Sequence, residues 1–253
     1  MSALLQVTKI GISFGAVAAV RDVSFEVSAG EMLALIGPNG AGKSTCFNML
    51  GGQLKPDRGQ ILLGGRSIAG LSPRGIWRQG VGRTFQITAS FASMTVGENI
   101  QMGLLAFKGK LWRGWRRAGQ FYEAEAMALL AQVGLADQAG RAAGVLAYGD
   151  VKRLELAMAL TNEPQLLLMD EPTAGMASGE RVRLMQLTRQ LATERQLAVL
   201  FTEHDMDVVF GVSDRILVLN RGEMVAMGDG PAIRAHEKVR EIYLGQGATS
   251  GGH

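Results

Sequence analysis

The sequence predicts an α/β fold with a mostly parallel central sheet built around a phosphate-binding loop. Three observations carry that expectation. Gly37-Pro38-Asn39-Gly40-Ala41-Gly42-Lys43-Ser44-Thr45 has the spacing G-x-x-x-x-G-K-[ST], set between the apolar run Met32–Ile36 and a helical stretch, Cys46–Leu50, that stops at Gly51-Gly52. Apolar runs of strand length alternate with helical patterns down the chain, the order that yields parallel pairing. One of those runs, Gln165–Met169, closes on two carboxylates, Asp170 and Glu171.

The 253 residues are 47% hydrophobic and 19% charged, enough for a large core and against global disorder. A net charge of +3 is too small to argue for nucleic acid. The single cysteine, Cys46, excludes an intrachain disulfide. No apolar run reaches the about 18 residues of a membrane span, and the N-terminus lacks a signal-peptide pattern. The chain therefore reads as soluble and cytoplasmic.

In order, residues 4–10 read as an opening strand and Val23–Val27 as a second, alternating one. Phe14, at the edge of the loop between them, either packs in the core or stacks on a purine, and core packing is the plainer reading. Residues 55–59 are turn chemistry, 60–65 a strand and hairpin, and 81–86 a short strand. From about 87 to 163 alanine and leucine take helical spacing, with Ala126, Leu129, Leu130 and Val133 on one face. This predicts a helical subdomain inserted into the α/β core. Within it, residues 108–117 are basic and carry Trp112 and Trp115. They read first as a solvated face, then as a membrane or membrane-partner contact, and last as a nucleic-acid contact.

Leu146-Ala147-Tyr148-Gly149-Asp150 opens a helix with Val151, Leu154 and Met158 on one stripe, ended by Glu163-Pro164. A helix over 179–195 turns Leu184, Leu187 and Leu191 inward. Leu197–Thr202 is a buried strand ending at Glu203-His204-Asp205, and 215–219 pairs with 222–226 through Asn220-Arg221. Residues 247–253 are small and polar and read as a flexible tail after a single domain over 1–246.

The loop's glycines let backbone N–H groups converge on a polyphosphate at a helix N-terminus. Lys43 supplies a point charge, and Ser44 or Thr45 a hydroxyl for Mg²⁺ or phosphate. A strand-end Asp170 suits Mg²⁺, Glu171 a general base, and His204 a γ-phosphate contact at another strand end. Cys46, near the helix start, is either a small buried residue or a thiol of lowered pKa.

The order and spacing of these motifs resemble those of an ATP-binding-cassette (ABC) ATPase over nearly the whole chain. The resemblance implies a P-loop NTPase core with an N-terminal antiparallel β subdomain and the helical insert. It implies ATP and Mg²⁺ as cofactors, and a dimer whose sites pair the phosphate loop of one subunit with the signature helix of the other. On this reading Gly37–Thr45 are Walker A, Leu166–Asp170 are Walker B, and Glu171 is the catalytic glutamate. Gln86 is the Q-loop residue contacting Mg²⁺ and the γ-phosphate, His204 the switch histidine, and Phe14 the adenine-stacking aromatic. Residues 146–150 are the signature contacting ATP across the dimer. The Tyr-Gly signature, Glu171–Met176 and Val239–Gly245 are similar to the ATPases of branched-chain amino acid importers, a group that includes urea and aromatic-acid importers. That implies homo- or heterodimerisation and a permease partner on the inner face of the cell membrane. Two positions depart from the family pattern. Ala147 stands where serine is usual and Ala177 where aspartate or asparagine is, which leaves open a weakly hydrolysing, regulatory half of an asymmetric dimer.

Overall fold

The computed structural model describes residues 3–84, 91–109 and 122–247. In chain order, β1 (Ala3–Phe14) and β2 (Val17–Ser28) form a hairpin, and β3 (Met32–Ile36) runs into the phosphate loop and α1 (Lys43–Leu50). β4 (Arg58–Leu63), β5 (Arg66–Ser67), α2 (Pro73–Arg78) and β6 (Val81–Thr84) follow, then α3 (Val96–Lys108), α4 (Glu123–Gln132) and α5 (Tyr148–Ala159). The remainder is β7 (Leu166–Asp170), α6 (Ser178–Arg195), β8 (Ala198–Thr202), α7 (Met206–Val212), the hairpin β9 (Arg215–Asn220) and β10 (Glu223–Gly228), α8 (Gly230–Ala235) and α9 (Glu237–Gly247).

Among the described residues the strands form two sheets. One is antiparallel, in the order β2-β1-β4-β5; the other runs β10-β9-β3-β8-β7-β6 and is parallel except for β10. β3 and β8 are buried along their whole length and β7 along all but its last residue. A strand covered on both faces has no polar side, so these three read as unbroken apolar runs. Residue parity divides them between two cores. Met32, Ala34, Ile36, Leu167, Met169, Val199 and Phe201 pack with α3 to α7, whereas Leu33, Leu35, Leu166, Leu168, Ala198 and Leu200 pack with α1 and the antiparallel sheet. The parallel sheet is thus the middle layer.

Several elements differ from expectation. β1 and β2 are longer than the sequence indicated because left-handed residues, Lys9 (φ 46°) and Asp22 (φ 48°), interrupt their alternation and shift the pairing register. α1 begins at Lys43, so the polar Lys43-Ser44-Thr45 are its first turn and not part of the loop. The β9–β10 turn is Arg221-Gly222, both at positive φ, as a two-residue hairpin of this hand requires. α2 and α8 were not foreseen, although each begins with a capping side chain, Ser72 or Asp229, and carries proline in its first turn. α7 and α9 were not foreseen either. Gln86, Trp112, Trp115 and the tail from 248 lie outside the described residues.

α7 is started by Asp205, whose Oδ1 accepts the N–H groups of Asp207 (3.0 Å) and Val208 (3.2 Å) while Oδ2 accepts from Arg181 (3.0 Å). The Val208 N–H above all, then the Arg181 guanidinium, holds the Asp205 carboxyl below its ordinary value. A depressed folded-state pKa contributes stability above the unfolded value, about 3.9, that is lost as pH falls through the folded one. Asp205→Ala is therefore expected to cost about 1 kcal/mol at pH 7. The gap to the parent protein should narrow below about pH 4, as urea unfolding at both pH values would measure.

Candidate functional site

Parallel pairing places the carboxyl ends of β3, β8 and β7 side by side, with β8 in the middle. Past the end of β3, Gly37 approaches β9 so closely that a Cβ there would lie 2.2 Å from the Leu219 carbonyl oxygen. Gly42, at φ 102°, is the residue before α1, and a Cβ on it would meet the Ala19 carbonyl at 2.7 Å. Only glycine fits either place. Lys43 is buried, and its Nζ donates to the carbonyls of Gly37 (2.7 Å) and Pro38 (3.2 Å). Burial lowers the Lys43 pKa, offset in part by the nearby carboxylates of Glu171 and Asp170. The loop opens onto a cleft of about 450 Å³ lined by Asn39–Thr45, by Val17, Ala18, Ala19 and Arg21 of β2, by Glu171 and by Arg221.

The end of β8 organises the acidic side of this cleft. Thr202 Oγ1 donates to Asp170 Oδ1 (2.7 Å) and accepts the Glu171 N–H (2.9 Å). Glu203, also buried, accepts from both the N–H (2.9 Å) and the hydroxyl (2.7 Å) of Thr173. His204 Nε2 lies 2.9 Å from Glu171 Oε1. On the other flank Arg83, held by Gln53 (2.6 Å) and Asn48 (3.0 Å), stands 3.9 Å from Asp170 Oδ2. Thr202, Glu203 and Arg83 were not among the residues the sequence singled out. A polar pair ending an apolar strand was the available signal for the first two.

Of the expected site residues, Lys43, Ser44, Glu171 and the loop from Asn39 share the cleft, and Thr202 ties Asp170 to its neighbour Glu171. Phe14 is not a core residue. It is 51% exposed at the end of β1, and it does not line the cleft, although its neighbour Val17 does. Residues 146–150 do not line it either. They sit at the start of α5, where Ala147 is the N-cap without a side-chain acceptor and the Tyr148 hydroxyl donates to the Ala174 carbonyl (2.9 Å). Asp150 pairs with Gln138 (2.9 Å) and Arg153 (3.6 Å). Ala177 occupies the equivalent place at α6, again an N-cap without a side-chain bond. Cys46 is fully buried, and desolvation pushes its thiol up to about 12, so the reactive-thiol reading is overturned.

Residues 20–174 match the family described as ABC transporter. This chain is an ABC ATPase. It is 41% identical to LivG of Salmonella typhimurium, a high-affinity branched-chain amino acid transport ATP-binding protein, over 96% of this chain and 98% of LivG. The crystal structure of an ATP-binding cassette of an ABC transporter in its ADP conformation is 31% identical, with a TM-score of 0.85 over 97% of this chain and all of that one. A dimeric cassette bound to ADP and Pi after hydrolysis is 25% identical, with a TM-score of 0.73 over 89% and 98% of the two chains. The fold expected for the family, a mostly parallel sheet with an antiparallel sheet beside it and helices between β6 and β7, is the one described above.

Two measurements follow from these local structures. Cys46 should resist a thiol reagent in the native protein at pH 8 and react only as the chain unfolds in denaturant. Ala147→Ser supplies the acceptor that α5 lacks and should raise unfolding free energy by about 0.5–2 kcal/mol in urea titrations.

Proposed function

We propose that this chain is the ATP-hydrolysing subunit of an importer for branched-chain amino acids or related small organic acids and amides. On this reading it works as a peripheral protein on the inner face of the cell membrane, docked to permease subunits. Among the described residues no helix is long and apolar enough to cross a membrane; in this reading the permease partners supply the transport path. Extended likeness to LivG supports the importer reading. The observation that carries the hydrolytic reading is the contact of His204 Nε2 with Glu171 Oε1, 2.9 Å, at the cleft that the phosphate loop lines.

Asn39–Thr45 present backbone N–H groups at the start of α1, and Lys43 adds positive charge where the β- and γ-phosphates would lie. Among the described residues no three His, Cys, Asp or Glu side chains converge on a point. A donor set of one carboxylate, Asp170, and the Ser44 hydroxyl suits Mg²⁺, which takes its other ligands from phosphate oxygens and water. When bound, that ion would neutralise charge developing on the phosphates. Gln86 is proposed to join them from the Q-loop. Glu171 takes the proton of the attacking water as its oxygen bonds to the γ-phosphorus and the bond to the ADP oxygen breaks. His204, donating to Glu171, orients that carboxylate. An exposed Phe14 fits stacking on adenine better than core packing.

Residues 146–150 do not line their own chain's cleft, which fits a head-to-tail dimer in which they serve the partner's ATP. Ala147 and Ala177 favour a second reading, in which this chain is the weaker half of an asymmetric pair, because neither can offer a polar side chain across the interface. A hydrogen bond to a charged group contributes about 1.5–3 kcal/mol, enough to slow closure noticeably.

ATP turnover by the purified chain with Mg²⁺, measured over a concentration series, tests both. Turnover rising more steeply than linearly with concentration, and falling about 10²–10⁴-fold in Glu171→Gln while ATP binding survives, is the expected result. Binding without turnover, restored by adding a paralogous subunit, would instead favour the asymmetric pair.

A further inference from the structure

Thr202 is fully buried, and its single hydroxyl serves the last residue of β7 and the residue after it. Parallel register sets Asp170 opposite Thr202 in the β7–β8 pair. The hydroxyl has one proton, and it goes to Asp170 Oδ1 (2.7 Å); the oxygen's lone pair takes the Glu171 N–H (2.9 Å). Glu171 itself departs from the strand, with φ at 49°, in the left-handed region that residues with a Cβ seldom enter. Such a conformation persists where the surroundings over-determine it. Two residues beyond Thr202, just past the end of β8, His204 reaches the Glu171 carboxylate (2.9 Å). One segment therefore grips Glu171 twice, at its backbone and at its side chain.

We propose that Thr202 is a positioning residue for catalysis, which holds Glu171 in its left-handed backbone conformation and Asp170 in its rotamer so that the base meets His204 at the cleft. The inference rests on the reading of Glu171 as the base. Its physical content is geometric. A carboxylate on a freely turning backbone would sweep over more than an ångström, and displacement on that scale can cost about 10²-fold in rate. Without Mg²⁺, nucleotide affinity rests on Lys43 and the phosphate loop and not on Asp170, so positioning predicts a loss in kcat without a matching loss in metal-free binding. A role in packing alone predicts that the methyl matters, not the hydroxyl.

The test uses the full chain, reading steady-state ATP turnover with Mg²⁺ beside equilibrium binding of a fluorescent ATP analogue in excess EDTA. Thr202→Val keeps the shape and removes the hydroxyl. It should lower kcat about tenfold or more while affinity for the analogue stays within about threefold. Thr202→Ser keeps the hydroxyl and should recover most of the lost turnover. If Val disturbs the fold, as a thermal melt would show, Thr202→Ala removes the hydroxyl without adding an apolar group in its place. Turnover of the Val and Ala variants within about twofold of the parent would overturn the inference, as would a Ser variant that falls as far as Val. Parallel loss of affinity and turnover would overturn it too, by revealing a general disturbance. Glu171→Gln in the same assay separates the two claims. Full turnover there sinks the base assignment, whereas loss there with Val unaffected sinks only the role of Thr202.

Discussion

Placing β8 between β3 and β7 is the constraint on which the rest of this molecule depends. Parallel strands end at a common edge, so whatever follows β3, β7 and β8 is delivered to one place without long excursions. β3 runs into the glycine-rich loop, β7 into two carboxylates, and β8 into the threonine and histidine that contact them. The chain reaches β8 only after it has made β7, and the crossover helix α6 covers the sheet on the way. Chemistry at this edge is therefore a product of strand order. A sheet with the same strands in another order would scatter the same motifs.

The glycine-rich loop is backed by the opposite core. α1 is wedged between the parallel sheet and the antiparallel one, with Cys46, Phe47, Met49 and Leu50 all without solvent exposure. Gly37 lies against β9, and Gly42 and Gly222 both crowd the Ala19 carbonyl of β2. The phosphate loop is thus pinned by two strands and a hairpin turn, none of which contributes a reacting group. Desolvation there lowers the Lys43 pKa, and the loop carbonyls that accept from Nζ satisfy a charge that burial would otherwise leave costly.

What the sequence made legible is what is local. A nine-residue glycine-rich motif, an apolar run followed by Asp170-Glu171 and buried strands without alternation all carry their signals in contiguous residues. The resemblance to the family then placed Glu171 and His204 in one site. No local pattern could reveal that Thr202, 32 residues from Asp170 in sequence, would spend its hydroxyl there, because that depends on strand order and register. Threonine in a strand is ordinary, and its partners are tertiary. The β1–β2 hairpin was shortened for a different reason, since Lys9 and Asp22 break the period by which strands are recognised. Phe14 shows the limit of composition, where an aromatic between two strands is more often core than surface, yet here it faces solvent.

The buried thiol has a practical consequence for labelling this protein. Cys46 is the sole cysteine in the sequence and sits beneath the phosphate loop at 0% exposure. The native surface is thus a blank background for spectroscopic labels, and no cysteine-free version of the protein has to be built. A single cysteine introduced at an exposed position such as Val145, beside residues 146–150, would carry a spin label or fluorophore in sole occupancy. In a symmetric dimer two such labels would report the separation between subunits at each stage of the nucleotide cycle, from an otherwise unaltered chain.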